Sequence, residues 1–316
     1  MINSLREDFN IPGSATISEG TNSLPKVVLS HRSGSSAEVY LHGGHVTSWK
    51  SASGKERLFL SRESVFAPNK PIRGGIPVCW PQFGGRGPLP QHGFARTSEW
   101  QLMRTELLDN GIVAAELQLT QTAETLALWP HEFALGLRML LDADALTIAV
   151  QVINTGTKPF DFQLALHTYF RVADINQVAI RGLEGVTFLD ALKNYSRDIE
   201  TREDIRFDQE TDRIYVNAPA SLSLDGITIE KRNLPDVVVW NPWIDKSRSM
   251  ADFGDDEYQR MVCVETGSIE TRPFLPPGER WISDCRLKKG KEGVSAVRGE
   301  EGFMRGGPAQ VEANNE

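Results

Sequence analysis

The chain has 316 residues, 40% hydrophobic and 24% charged, the balance of an ordinary soluble protein able to bury a sizeable core. A formal net charge of -8 argues against a nucleic acid as main partner, because binding a phosphate backbone needs an extended basic surface. No stretch approaches the ~18 apolar residues of a membrane span, Arg6, Glu7 and Asp8 stand where a signal peptide would be apolar, and three cysteines form no CxxC pair, so a cytoplasmic protein with reduced thiols and no membrane partner is expected.

The first ~20 residues read as an N-terminal extension. From Lys26 onward apolar residues recur mostly at period two, the mark of half-buried strands. Segments 27–31 and 37–42 flank a Gly/Ser turn and predict a hairpin; 100–107 and 112–121 flank Asp109-Asn-Gly111 and predict a second; 135–141 and 146–154 predict a third. A short helix fits 124–128, ended by Pro130. Further strands are predicted at 160–170, 213–217, 221–225, 227–231, 237–240, 260–265 and 281–287. Many short strands with few helices imply an all-β fold, a large antiparallel sandwich or barrel, as one domain over 1–287. Residues 288–316 are rich in Gly and Glu and are expected to form a flexible tail. No heptad or unusual apolar strip calls for an obligate oligomer, so a monomer is expected.

Three places carry candidate chemistry. From Ser64 to Ser98 there is no Asp or Glu, yet Lys70, Arg73, Arg86 and Arg96 stand among six prolines and six glycines. That is a stiff basic loop system suited to a small anion, and it contains His92. In 160–170 the even positions make an apolar face and the odd ones, His167 among them, a polar face. His167 therefore faces either bulk water or a cleft. Glu265 ends an apolar strand, sharing its face with Met261 and Cys263. It is either an exposed strand-end carboxylate or one whose pKa is raised toward general-base range.

Metal ligation looks poor: there is no HExxH, and His42-Gly-Gly-His45 would set its imidazoles on opposite faces of a strand. GxSxG, P-loop and dinucleotide-binding signatures are absent.

Several motifs together resemble the aldose 1-epimerase (mutarotase) superfamily, and within it the glucose-6-phosphate 1-epimerase branch. They are the run from Lys70 through Cys79-Trp-Pro-Gln-Phe-Gly84, Leu89-Pro-Gln-His-Gly-Phe-Ala-Arg96, Leu166-His-Thr-Tyr-Phe170, Thr211-Asp-Arg-Ile-Tyr215, Val239-Trp-Asn-Pro-Trp243 and Val264-Glu-Thr-Gly267. The resemblance implies a galactose mutarotase-like β-supersandwich, no metal or organic cofactor, and anomer interconversion of a hexose 6-phosphate. By the same resemblance His167 and Glu265 match the catalytic acid and base. Arg73, Gln91, Arg96 and Asp212 match substrate-binding positions, and His92 a histidine near the sugar. Trp240 and Trp243 are further candidates for a sugar face. An epimerase of unphosphorylated aldoses and a noncatalytic carbohydrate-binding protein are the rival readings.

Overall fold

The computed structural model describes residues 2–290. Two eight-stranded sheets dominate, and every strand pairing within them is antiparallel. One, here the cleft sheet, runs in the order Ser196–Ile199, Thr187–Asp190, Thr211–Tyr215, Asp236–Asn241, Met261–Ser268, Leu164–Leu166, Val78–Cys79, with Tyr169–Arg171 also paired to Met261–Ser268. The outer sheet runs Ile180–Arg181, Ser221–Leu224, Ile227–Arg232, Arg280–Lys289, Ala145–Asn154, Phe133–Leu141, Val113–Thr120, Gln101–Leu107.

Alternation explains how they stack. Leu135, Leu137, Ile148 and Val150 of the outer sheet share one apolar core with Val237, Val239, Val262 and Val264 of the cleft sheet. The intervening residues of the cleft sheet turn the other way: Val238 packs with Ile214 and Ala165, and Cys263 with Met261, Phe59 and Tyr169. The cleft sheet is thus covered on both faces, and its second face carries the site.

The three predicted hairpins form, as strands Pro25–Ser30 with Ser36–Tyr40, Gln101–Leu107 with Val113–Thr120, and Phe133–Leu141 with Ala145–Asn154. The predicted short helix is Ala123–Leu128, closed at its start by a reciprocal Thr122–Thr125 capping box. Some expectations need correction. The N-terminal segment packs onto the body: Ile2, Leu5 and Phe9 of helix Ile2–Phe9 lie against the core, and Ala15–Glu19 pairs with Pro25–Ser30. The segment 160–170 is three short strands, broken after Asp161 and again after Leu166. Its odd positions are not a solvent face, since Gln163, Ala165, His167 and Tyr169 are all buried. Of the expected tail, Lys288 and Lys289 finish strand Arg280–Lys289, and residues from 291 on lie outside the described ones. No described helix is long and apolar enough to cross a membrane.

Candidate active site

The second face of the cleft sheet floors a cavity of about 300 Å³. Register places its side chains in rows: Ile214, Val238 and Glu265 align across three strands, and so do Asp212, Trp240 and Cys263. His167 arrives from the break between Leu164–Leu166 and Tyr169–Arg171. Its backbone N–H donates to Pro77 O at 3.0 Å, and Val264 N–H donates to Thr168 O at 3.2 Å, which pins the break against the strand bearing Glu265.

The imidazole is caged. It stacks on Tyr169, with ring centres 4.8 Å apart and planes 9° from parallel, and it meets Trp240 and His92 edge to face. Its Nε2 lies 3.3 Å from Glu265 Oε1. His167 is 7% exposed and Glu265 1%. His167 Nδ1 and Glu265 Oε2 are buried without a hydrogen-bond partner, so each keeps an atom for something other than the protein. Burial, then neighbouring His92 and the positive charges of Arg96 and Arg73, lowers the His167 pKa well below its ordinary value; burial and Asp212 raise that of Glu265 well above. Burial thus moves the two groups in opposite directions, each toward its uncharged form.

Of the seven residues singled out in the sequence, six line this cavity: His167, Glu265, Arg73, Gln91, His92 and Asp212. Arg96 does not. Its Nη2 donates to Gln91 O at 2.9 Å, so it braces the loop that presents Gln91 and adds charge near His92 and His167. His92 adopts φ +65° and its Nδ1 accepts the Gly84 N–H at 3.3 Å, which leaves the ring proton on Nε2 as a donor. Burial lowers its pKa to about 3, so it is neutral at working pH. Burial also raises Asp212 to about 6, with Glu210 and Asp190 adding and Lys246 opposing.

Arg73 is held on both sides. His42 Nε2 bonds Lys70 O at 2.7 Å and His45 Nε2 bonds Gly74 O at 2.8 Å. The two histidines grip one loop rather than opposite faces of a strand, because His42 forms an isolated bridge with Glu99 and the strand begins only at His45. Arg73 Nη1 donates to Tyr169 Oη at 3.0 Å and Nη2 to Asp252 Oδ2 at 3.1 Å. Burial works against its charge, but these two partners hold it ionised above the usual guanidinium range.

Other basic residues of the acid-free segment stand aside. Arg86 pairs with Glu270 and lies over the Tyr195 ring, and the Lys70 side chain is exposed. Trp240 lines the cavity, whereas Trp243 packs against Tyr258. Sequence reasoning missed Lys246, on helix Trp243–Ser249 at the cavity wall, and Asp252. Neither sits in a pattern that distinguishes it from a surface charge. Tyr169 was legible only as a member of the same odd-numbered row as His167. As for metal ligation, His167, Cys263 and Glu265 present ligand atoms within 4.8 Å of one another, a grouping that the spacing of histidines did not reveal.

Known proteins resemble this chain in sequence and in fold. A Cenchrus ciliaris protein named "Putative glucose-6-phosphate 1-epimerase" is 42% identical over 287 residues, covering 87% of this chain and 85% of its own. The crystal structure of a Salmonella typhimurium protein described as "a putative mutarotase (YeaD)" superposes with a TM-score of 0.79 at 30% identity, over 92% of this chain and 99% of that one. The galactose 1-epimerase of Lactobacillus acidophilus shares the fold, with a TM-score of 0.64 at 15% identity over 88% and 99% of the two chains. The family model described as aldose 1-epimerase matches residues 25–288, and the chain belongs to the aldose 1-epimerase family.

Proposed function

We propose that the protein interconverts the α and β anomers of a hexose 6-phosphate, chiefly D-glucose 6-phosphate, by acid–base ring opening and closing. The buried His167–Glu265 pair, 3.3 Å apart on the floor of a cavity large enough for one hexose, carries this reading. Glu265 takes the proton of the C1 hydroxyl while protonated His167 gives one to the ring oxygen. The C1–ring-oxygen bond breaks, C1 becomes an aldehyde, and rotation about C1–C2 presents its other face for closure with both transfers reversed. Opening leaves Glu265 protonated and His167 neutral, and reclosure restores the starting charges. Asp212 would accept hydrogen bonds from sugar hydroxyls and His92 Nε2 would donate one.

Arg73 is the leading phosphate ligand, because it lines the cavity, which Arg96 does not, and its loop is clamped by two histidines. Arg96 adds positive potential through the Gln91 loop. The alternative, an epimerase of free aldoses, draws support from Asp252, which already neutralises one edge of Arg73. The test is anomer exchange by NMR on glucose 6-phosphate beside glucose. Phosphorylated sugar should be strongly preferred, and His167→Asn or Glu265→Gln should each slow exchange by about 10²–10⁴-fold. Equal efficiency on both sugars would remove the phosphate assignment; full rates in both variants would remove the acid–base pair.

A further inference from the structure

Below the acid–base pair lies Cys263, which the proposed reaction leaves unused. It is two residues before Glu265 on the same strand and so shares its face, and its register partner on the neighbouring strand is Tyr169, against which His167 stacks. The ligand atoms of His167, Cys263 and Glu265 lie within 4.8 Å of one another, and all three residues are more than nine-tenths buried. We propose that these three side chains form an inhibitory binding site for a soft or borderline divalent cation of the zinc class.

His167 and Glu265 fit that ion as they stand, while the Cys263 sulfur, whose bond to zinc is about 2.3 Å, has to close in from a cluster that spans up to 4.8 Å. Bonds of about 2.0–2.1 Å at a tetrahedral angle set two ligand atoms roughly 3.3 Å apart, the spacing seen between His167 Nε2 and Glu265 Oε1, 3.3 Å. One imidazole, one thiolate and one carboxylate make a three-ligand set with a fourth position open toward the cavity. Charge balances as well: the ion binds neutral His167, the Glu265 carboxylate and the Cys263 thiolate, any protons on these atoms leave for water, and the carboxylate and thiolate neutralise the dication. Arg73 and Arg96 lie close enough to oppose a cation, so selection rests on the soft sulfur ligand and not on negative potential. Magnesium and calcium, which need oxygen ligands, gain nothing here. A zinc ion so held occupies the lone pairs that would move protons, and inhibition follows.

The full chain, freed of metal by chelation, is titrated with Zn²⁺ during anomer exchange, and separately with Co²⁺ followed by absorbance. Zinc should inhibit at micromolar concentration, a chelator should restore the rate, and Mg²⁺ should have no effect. Cobalt should develop a thiolate charge-transfer band. Cys263→Ser, measured against its own zinc-free exchange rate, should lose the band and need at least about 10-fold more zinc for half inhibition, the lower end of losses seen when even an indirect ligand partner is removed. Equal zinc sensitivity in wild type and Cys263→Ser, or no thiolate–cobalt band in the wild type, overturns the proposal. The cobalt measurement needs no catalysis, so it stands whether or not the sugar-phosphate reading does, and it decides the matter alone if the serine variant does not fold.

Discussion

Tyr169 touches both halves of the site, and removing its hydroxyl separates them. In Tyr169→Phe the ring still stacks on His167, 4.8 Å away, and still fills the pocket beside Phe59 and Trp240. What disappears is the acceptor for Arg73 Nη1 at 3.0 Å, a hydrogen bond from a guanidinium held away from water. Hydrogen bonds involving a charged group contribute about 1.5–3 kcal/mol, which converts to about 10- to 150-fold in an equilibrium constant. With Arg73 freed on one edge and held only by Asp252 on the other, its fork swings from its set orientation and phosphate binding weakens. KM for glucose 6-phosphate should rise by that factor, while kcat and the slower exchange of glucose stay close to wild type. Steady-state anomerisation of both sugars, monitored by NMR exchange or polarimetry, reads the two constants separately. An equal fall in kcat on both sugars with KM unchanged would refute the reasoning, because Tyr169 would then act through His167 and not through Arg73.

Asp212 gives a pH dependence of definite sign: its pKa is raised from 3.8 to about 6, so below about pH 6 it loses the charge that accepts sugar hydroxyls, and KM should climb with acidity in the wild type but not in Asp212→Asn. The same shift makes the native protein bind a proton that the unfolded chain does not between those values. Its destabilising effect is therefore full above about pH 6 and relieved as pH falls toward 3.8, a trend that urea unfolding of Asp212→Asn should flatten. His45→Ala removes the bond to Gly74 O and opens a void in a fully buried place, which should cost about 2 kcal/mol or more in denaturant unfolding and raise KM for the phosphorylated sugar; unchanged stability would contradict the loop-clamp reading. Gly93, at φ +70°, has no room for a methyl group, whose carbon would fall 2.1 Å from Trp80 O. Gly93→Ala should therefore displace the neighbouring His92 and lower both soluble yield and activity, and a well-folded, fully active variant would show the loop to be more compliant than its backbone implies.

Much of the architecture was legible because strands and hairpin turns announce themselves locally. Period-two alternation marked the strands from Lys26 onward, and the Asp-Asn-Gly turn marked the hairpin around residue 110. The break in 160–170 was not legible, since Phe160, Phe162, Leu164 and Leu166 keep an unbroken alternation on paper. Partners far along the chain end the ladder there: Gln163 N–H donates to Pro81 O and His167 N–H to Pro77 O. The helix Ile2–Phe9 escaped notice for the opposite reason, its apolar residues being few and its stability coming from packing on a core that the local sequence does not contain.

By itself the sequence determined the all-β class, the main hairpins and, through the order of its motifs, the family and the residues worth watching. The class and the hairpins are written in short-range patterns of polarity and turn chemistry, which a chain carries before it folds, whereas the family and its site residues follow from the resemblance of the motifs. Tertiary structure alone decided that His167 and Glu265 meet at 3.3 Å, that Arg96 braces a loop while Arg73 faces the cavity, and that His42 and His45 grip the same segment. Each depends on strands distant in sequence lying side by side in one register, and burial, which shifts the pKa values of His167 and Glu265 in opposite directions, exists only once they do.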